Sequence, residues 1–189
     1  MNEQRAINFE AAEFRFDEED KNVIQGYASV FNSKTNLGRF DEVIEPGAFT
    51  RALEEDQDVR ALIDHDSGRI IGRTKNGTLE LREDSKGLHS RIMLPDTQEG
   101  RDLATLIELG TLDAMSFGFT VKGDRWEKNE GRNTRHISDV DLYDVSIVAY
   151  PAYPDTTAAM RSMPKDEKGD NRRLRFNLLL KRFRANSWQ

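Results

Sequence analysis

Cysteine is absent from the 189 residues, which excludes disulfides, thiolate metal sites and a cysteine nucleophile. No apolar run approaches the ~20 residues that a membrane-spanning helix needs, and Met1-Asn2-Glu3-Gln4 lacks the basic start and apolar middle of a signal peptide. A soluble, cytoplasmic protein without a membrane partner is expected. Repeats and low-complexity tracts are missing as well. Histidine is scarce, with three in the chain, so few side chains could serve as a base near neutral pH. Positive charge falls short of negative, at a net −6. From Pro164 to Gln189 there are eight basic and three acidic residues, a net of +5, so the first 163 residues must carry −11 for the chain to total −6. So acidic a body argues against nucleic acid as its main partner.

What is present is one domain's worth of chain, with 37% hydrophobic and 33% charged residues, more polar than an average globular domain. Residues 7 to 31 read as a hairpin, Phe40–Ile44 as a short strand, and Pro46 opens a helix with Ala48, Phe49, Ala52 and Leu53 on one face. Four strands are predicted over Val59–Asp64, Arg69–Arg73, Thr78–Arg82 and Leu88–Leu94, with turns at Ser67-Gly68, Asn76-Gly77 and Lys86-Gly87. Asp96 and Glu99 have capping-box spacing ahead of a helix that ends at Gly110. After a strand through Ser116 comes a polar excursion over Lys122–Arg132, then a run from His136 to Tyr150. This pattern predicts an α+β, mainly-β fold: an antiparallel sheet closed or partly closed into a barrel, ringed by a few helices. The domain is expected over residues 1–163. Residues 164–189 read as a charged linker and a basic tail whose Leu174, Phe176, Leu178, Leu179, Leu180 and Phe183 interleave with six basic residues. That pattern fits a frayed terminal helix or a helix that docks on another protein or on an anionic surface, of which a protein partner is the preferred reading.

The stretch Ala114–Val121 splits at the strand period. Met115, Phe117, Phe119 and Val121 make a large apolar row, and Ala114, Ser116, Gly118 and Thr120 a small one that leaves a hydroxyl where a substrate backbone could approach. Ser116 is thus a candidate nucleophile or an ordinary strand serine. His65 ends an apolar strand and could take a hydroxyl proton. In Asp141–Ala149 alternation puts Tyr143, Val145, Ile147 and Ala149 in a core row, leaving Asp144 as a carboxylate amid an apolar strand. Such a group is costly to bury unpaired, and it could orient an imidazole or make a structural bond to an arginine. A metal-dependent hydrolase on Asp64, His65 and Asp66 is a rival, weakened because successive strand residues face opposite ways.

Several short blocks in one order carry a resemblance: Gly26–Phe31, Phe40–Phe49, the His65 segment, Gly100–Leu103, Met115–Phe119, Asp144–Val148 and Pro151–Pro154. Over residues 23 to 160 the chain resembles the HK97-type prohead proteases of tailed bacteriophages, serine peptidases that mature capsids. The resemblance implies a β-barrel ringed by helices, similar to the herpesvirus capsid-maturation proteases. It implies His65 and Ser116 as the catalytic pair, with Asp144 where the family usually has Glu and with His89 and His136 as fallback third members. It implies no cofactor. The partners it implies are the major capsid protein with its scaffolding segment, and the protease itself, through self-cleavage and as a homodimer. The implied setting is the assembling prohead in the host cytoplasm. The competing reading is a non-enzymatic scaffold or capsid-binding module.

Overall fold

The computed structural model describes residues 3–7, 15–17, 22–128 and 131–149. The exit after Tyr150 and the tail of residues 164–189 lie outside the described residues. Eleven strands are present among the described residues: β1 Glu3–Ile7, β2 Arg15–Phe16, β3 Val23–Val30, β4 Thr35–Asn36, β5 Asp41–Ile44, β6 Arg60–Ile63, β7 Asp66–Arg73, β8 Leu79–Glu83, β9 Gly87–Met93, β10 Ala114–Glu127 and β11 Thr134–Val148. Two α-helices accompany them, α1 Thr50–Glu54 and α2 Gln98–Glu108. The mainly-β expectation holds, but the strands form two sheets that do not close into a barrel.

The seven-stranded sheet runs β1-β10-β11-β5-β4, with β6 also paired to β11 and β7 paired to β6. It is mixed rather than antiparallel throughout, because the 15-residue β11 takes two parallel partners end to end on one edge. Its first half pairs with β5, and its second half pairs with β6 in the register Asp144↔Arg60 to Ile147↔Ile63. The second sheet, β2-β3-β9-β8, is antiparallel. The core combines Ile24, Leu79, Leu88 and Ile92 of the second sheet with Met115, Phe117, Phe119, Val145 and Ile147 of the first. Each such side chain contributes roughly 1.5–3 kcal/mol by leaving water.

A β-bulge corrects the alternation expected for β11. Gly118 pairs with Asp144 while Phe119 pairs with Leu142, so Tyr143 has no partner residue and the phase slips by one. Tyr143 is therefore 40% exposed, not in the core row, and Val140 and Leu142 enter the core beside Val145 and Ile147. The polar excursion from Lys122 also differs from expectation, since β10 continues to Glu127 and pairs with the start of β11, whose Thr134, Arg135 and Ile137 are buried. Its Trp126 packs on Phe40 with ring centroids 4.9 Å apart. Helix α2 is capped by Thr97, whose hydroxyl accepts the Gly100 N–H at 3.1 Å, rather than by Asp96.

Arg51 ties α1 to β11 through Asp139 at 3.0 Å and Asp141 at 2.8 Å. Hydrogen bonds from Arg51 and then Lys122 hold the Asp141 carboxyl down at about 2. That value lies below the ordinary, unfolded-chain one of about 4. The stabilisation is hence fully present above about pH 4 and is lost as pH falls through about 2. Asp141→Asn is expected to flatten the fall in melting temperature over that window, measured by circular dichroism.

Candidate active site

Three neighbouring strands set up the site. Antiparallel pairing of β10 with β11 places Ser116 opposite Ser146 and Gly118 opposite Asp144. On the far side of β11, β6 runs parallel and delivers the chain into a two-residue turn, Asp64-His65, before β7 returns. Both turn residues have positive φ, 50° at Asp64 and 58° at His65, as the tightest hairpin turns require. Asp and His tolerate the left-handed region better than most side chains but at a cost of about 1 kcal/mol or more each. The turn is held in place by β11: the Asp64 N–H donates to the Ile147 carbonyl at 2.9 Å, and the Ala149 N–H donates to Asp64 Oδ1 at 3.0 Å. His65 thus stands in the turn itself and not at a strand end, and Ser67-Gly68, predicted as the turn, lies inside β7.

Here the structure brings Ser116, His65 and Asp144 together. Nε2 of His65 is 2.6 Å from Ser116 Oγ, and Nδ1 is 2.6 Å from Asp144 Oδ1. Ser146 adds a fourth group: its hydroxyl donates to Asp144 Oδ1 at 2.7 Å and lies 3.2 Å from His65 Nδ1. The sequence put Ser146 on Asp144's face, two residues on, which was the signal that could have found it. Gly118 is the other residue missed. A Cβ there would sit 2.1 Å from Asp144 Oδ2, so only glycine lets that carboxylate lie flat on β10. Gly118→Ala is expected to push Asp144 off the imidazole and lower kcat about 100-fold or more with little change in KM, measured by steady-state hydrolysis.

The other candidates lie apart. His89, on β9, packs edge-on against Tyr27 with centroids 5.1 Å apart. His136 faces Glu127 and Glu45, each at 3.2 Å. The carboxylates beside His65 diverge from it: Asp64 is engaged by Ala149, and Asp66 Oδ1 accepts the Gly68 N–H at 2.8 Å. Among the described residues no group of three or more His, Asp or Glu side chains is placed to hold a metal. The small row of β10 is not open ground as expected, because Ser116 is fully buried. Its hydroxyl has one proton and two acceptors in reach, His65 Nε2 at 2.6 Å and the carbonyl oxygen of Arg5 in β1 at 2.7 Å.

A hydroxyl, an imidazole and a carboxylate linked in this order have the arrangement of a serine hydrolase triad. The chain belongs to the caudovirus prohead serine protease family, whose model matches residues 10–169, and it is a serine protease. It is 32% identical over 165 residues to the prohead protease of Enterobacteria phage HK97, an alignment covering 84% of this chain and 69% of that protein. In fold it is similar to the capsid assembly protease of bacteriophage T4, with a TM-score of 0.51 at 11% identity, over 79% of this chain and 99% of the other.

Proposed function

We propose that this protein is the endopeptidase that removes the scaffolding segment of its phage's major capsid protein, and cleaves itself, inside the maturing prohead in the host cytoplasm. The observation that carries the reading is the unbroken relay from Ser116 through His65 to Asp144, at 2.6 Å for each link. The capsid-assembly roles named for the HK97 and T4 relatives supply the substrate class. Among the described residues no helix is long and apolar enough to cross a membrane.

The chemistry is acyl transfer. Nδ1–H of His65 donates to Asp144, which leaves Nε2 as the acceptor facing the hydroxyl. Ser116 Oγ attacks the scissile carbonyl carbon, and its proton passes to Nε2. The carbon–nitrogen bond then breaks as Nε2 returns that proton to the leaving amine. Water, deprotonated by the same nitrogen, hydrolyses the ester, releases the new carboxylate and restores Ser116. Asp144 keeps the imidazole in the tautomer required and offsets the positive charge it acquires, and Ser146 fixes the carboxylate. Beyond the described residues, the basic tail of residues 164–189 is assigned to carrying the enzyme into the assembling shell.

Co-expression with the major capsid protein of the same phage tests this reading. The expected result is a capsid protein shortened at its scaffolding segment. A capsid protein of unchanged mass, in the presence of intact shells containing this chain, is the result that would overturn it.

A further inference from the structure

Strand β1 lies where an incoming peptide would have to lie. Among the described residues it is the last strand of its sheet and is hydrogen-bonded to no strand but β10, along which it runs antiparallel from Glu3↔Phe119 to Ile7↔Met115. Its Arg5 carbonyl oxygen lies 2.7 Å from Ser116 Oγ and competes with His65 Nε2, at 2.6 Å, for the single hydroxyl proton. An extended segment laid on an edge strand with one carbonyl against the nucleophile is how strand-addition sites hold peptides. With Ser116 fully buried, an external peptide reaches it only after something leaves. Strand β1 can leave without disturbing the β10–β11–β6 ladder, and the family match begins beyond it, at residue 10.

The side chains of β1 show what the slot reads. Arg5 and Glu3 pair in register with Phe117 and Phe119, so they point to the core side. The Arg5 guanidinium lies over the Phe119 ring, 5.4 Å from its centroid, and engages the buried Glu42 carboxylate through both Nε and Nη2, the latter at 2.9 Å. Glu3 meets Arg135 Nη1 at 3.1 and 3.2 Å, and Arg135 Nε reaches Asp124 at 2.6 Å. Burial alone would lower the Arg5 pKa, yet the charges and hydrogen bonds of Glu42 and Glu3 leave it raised, so the side chain stays cationic. With β1 gone the net charge of the cluster is unchanged, because Glu3 and Arg5 cancel, but Glu42, only 2% exposed, loses the two-point partner that Arg5 supplied and keeps only Arg135 Nη1 at 3.4 Å, itself shared with Asp124 through Nε. An under-paired buried charge is unfavourable, so the emptied slot favours a cation in its place.

We propose that the slot beside β10 filled by β1 is the substrate groove, that Glu42 selects a basic side chain, preferably Arg, on the residue whose carbonyl meets Ser116, and that β1 is the chain's own occupant of that groove. Arg135 favours an acidic side chain two residues earlier, as Glu3 now provides. The proposal rests on the peptidase reading above and adds its specificity. The bond cut in such a segment is the one following the basic residue, which for β1 is Arg5–Ala6, with Arg5 retaining the new carboxylate and Ala6 the new amine.

The test uses the full chain and an octapeptide of residues 2 to 9, with products read by mass spectrometry. Cleavage is expected between Arg and Ala, and the same peptide with Arg5→Gln is expected to be cut ten- to a hundredfold more slowly. In Glu42→Gln enzyme that ratio is expected to shrink to about threefold or less; if this variant does not fold, the two peptides with the native chain decide alone. Equal rates for the two peptides, or cleavage elsewhere, overturn the proposal. A native chain that a serine-directed reagent labels at Ser116 but that cuts neither peptide overturns the groove assignment and leaves the peptidase reading standing. A chain neither labelled nor active overturns both.

Discussion

Ser116→Ala is expected to lower hydrolysis of any peptide the native chain cuts by about 10⁴-fold or more, with the fold intact. In the proposed mechanism this hydroxyl is the group that forms the covalent ester, and no neighbouring side chain is placed to replace it. Ser146 is a strand away, opposite Ser116, and is engaged with Asp144 at 2.7 Å. The substitution removes one buried hydroxyl and its contacts with His65 and the Arg5 carbonyl, while the Met115, Phe117 and Phe119 row that builds the core is untouched. Melting temperature should move by a few degrees at most. Steady-state kcat/KM beside a thermal melt separates the two effects. A variant that keeps even a tenth of native activity contradicts the role given to this residue.

Asp144→Asn is expected to cost about 10³- to 10⁴-fold, mostly in kcat. The carboxylate accepts from His65 Nδ1 at 2.6 Å and from the Ser146 hydroxyl at 2.7 Å, and it lies against Gly118. An amide in its place carries no charge to offset the imidazolium. If its nitrogen turns toward Nδ1, it also favours the tautomer with the proton on Nε2, which cannot accept from Ser116. KM should change little, since no substrate contact is removed. The check is a kcat and KM pair for the variant. A loss seated in KM would mean that Asp144 binds peptide instead of orienting the imidazole.

The parts legible in the sequence were those that strand alternation and family-like blocks carry. The apolar row of β10 is buried as its period demands, and mainly-β architecture followed from the many short apolar runs. Three features escaped, each for a physical reason. The Asp64-His65 turn contains neither Gly nor Asn, and its left-handed conformation is held by Ile147 and Ala149, more than 80 positions away. The bulge at Tyr143 shifts the phase of β11 by one, so a strict period of two misplaces Leu142 and Tyr143. Strand β1 has the charged alternation of a solvated segment. Its Glu3 and Arg5 are buried because Glu42 and Arg135 meet them from β5 and β11, pairings that no local pattern could announce.

The most direct measurement of the central claim is the site modified by a serine-directed organophosphorus reagent, mapped by mass spectrometry in native chain and in His65→Ala. A hydroxyl activated by the imidazole 2.6 Å away gives one adduct, on Ser116, and none on that residue once the imidazole is gone. An adduct on a different serine, or labelling of Ser116 at the same rate without His65, would show that this hydroxyl is not the nucleophile the geometry assigns.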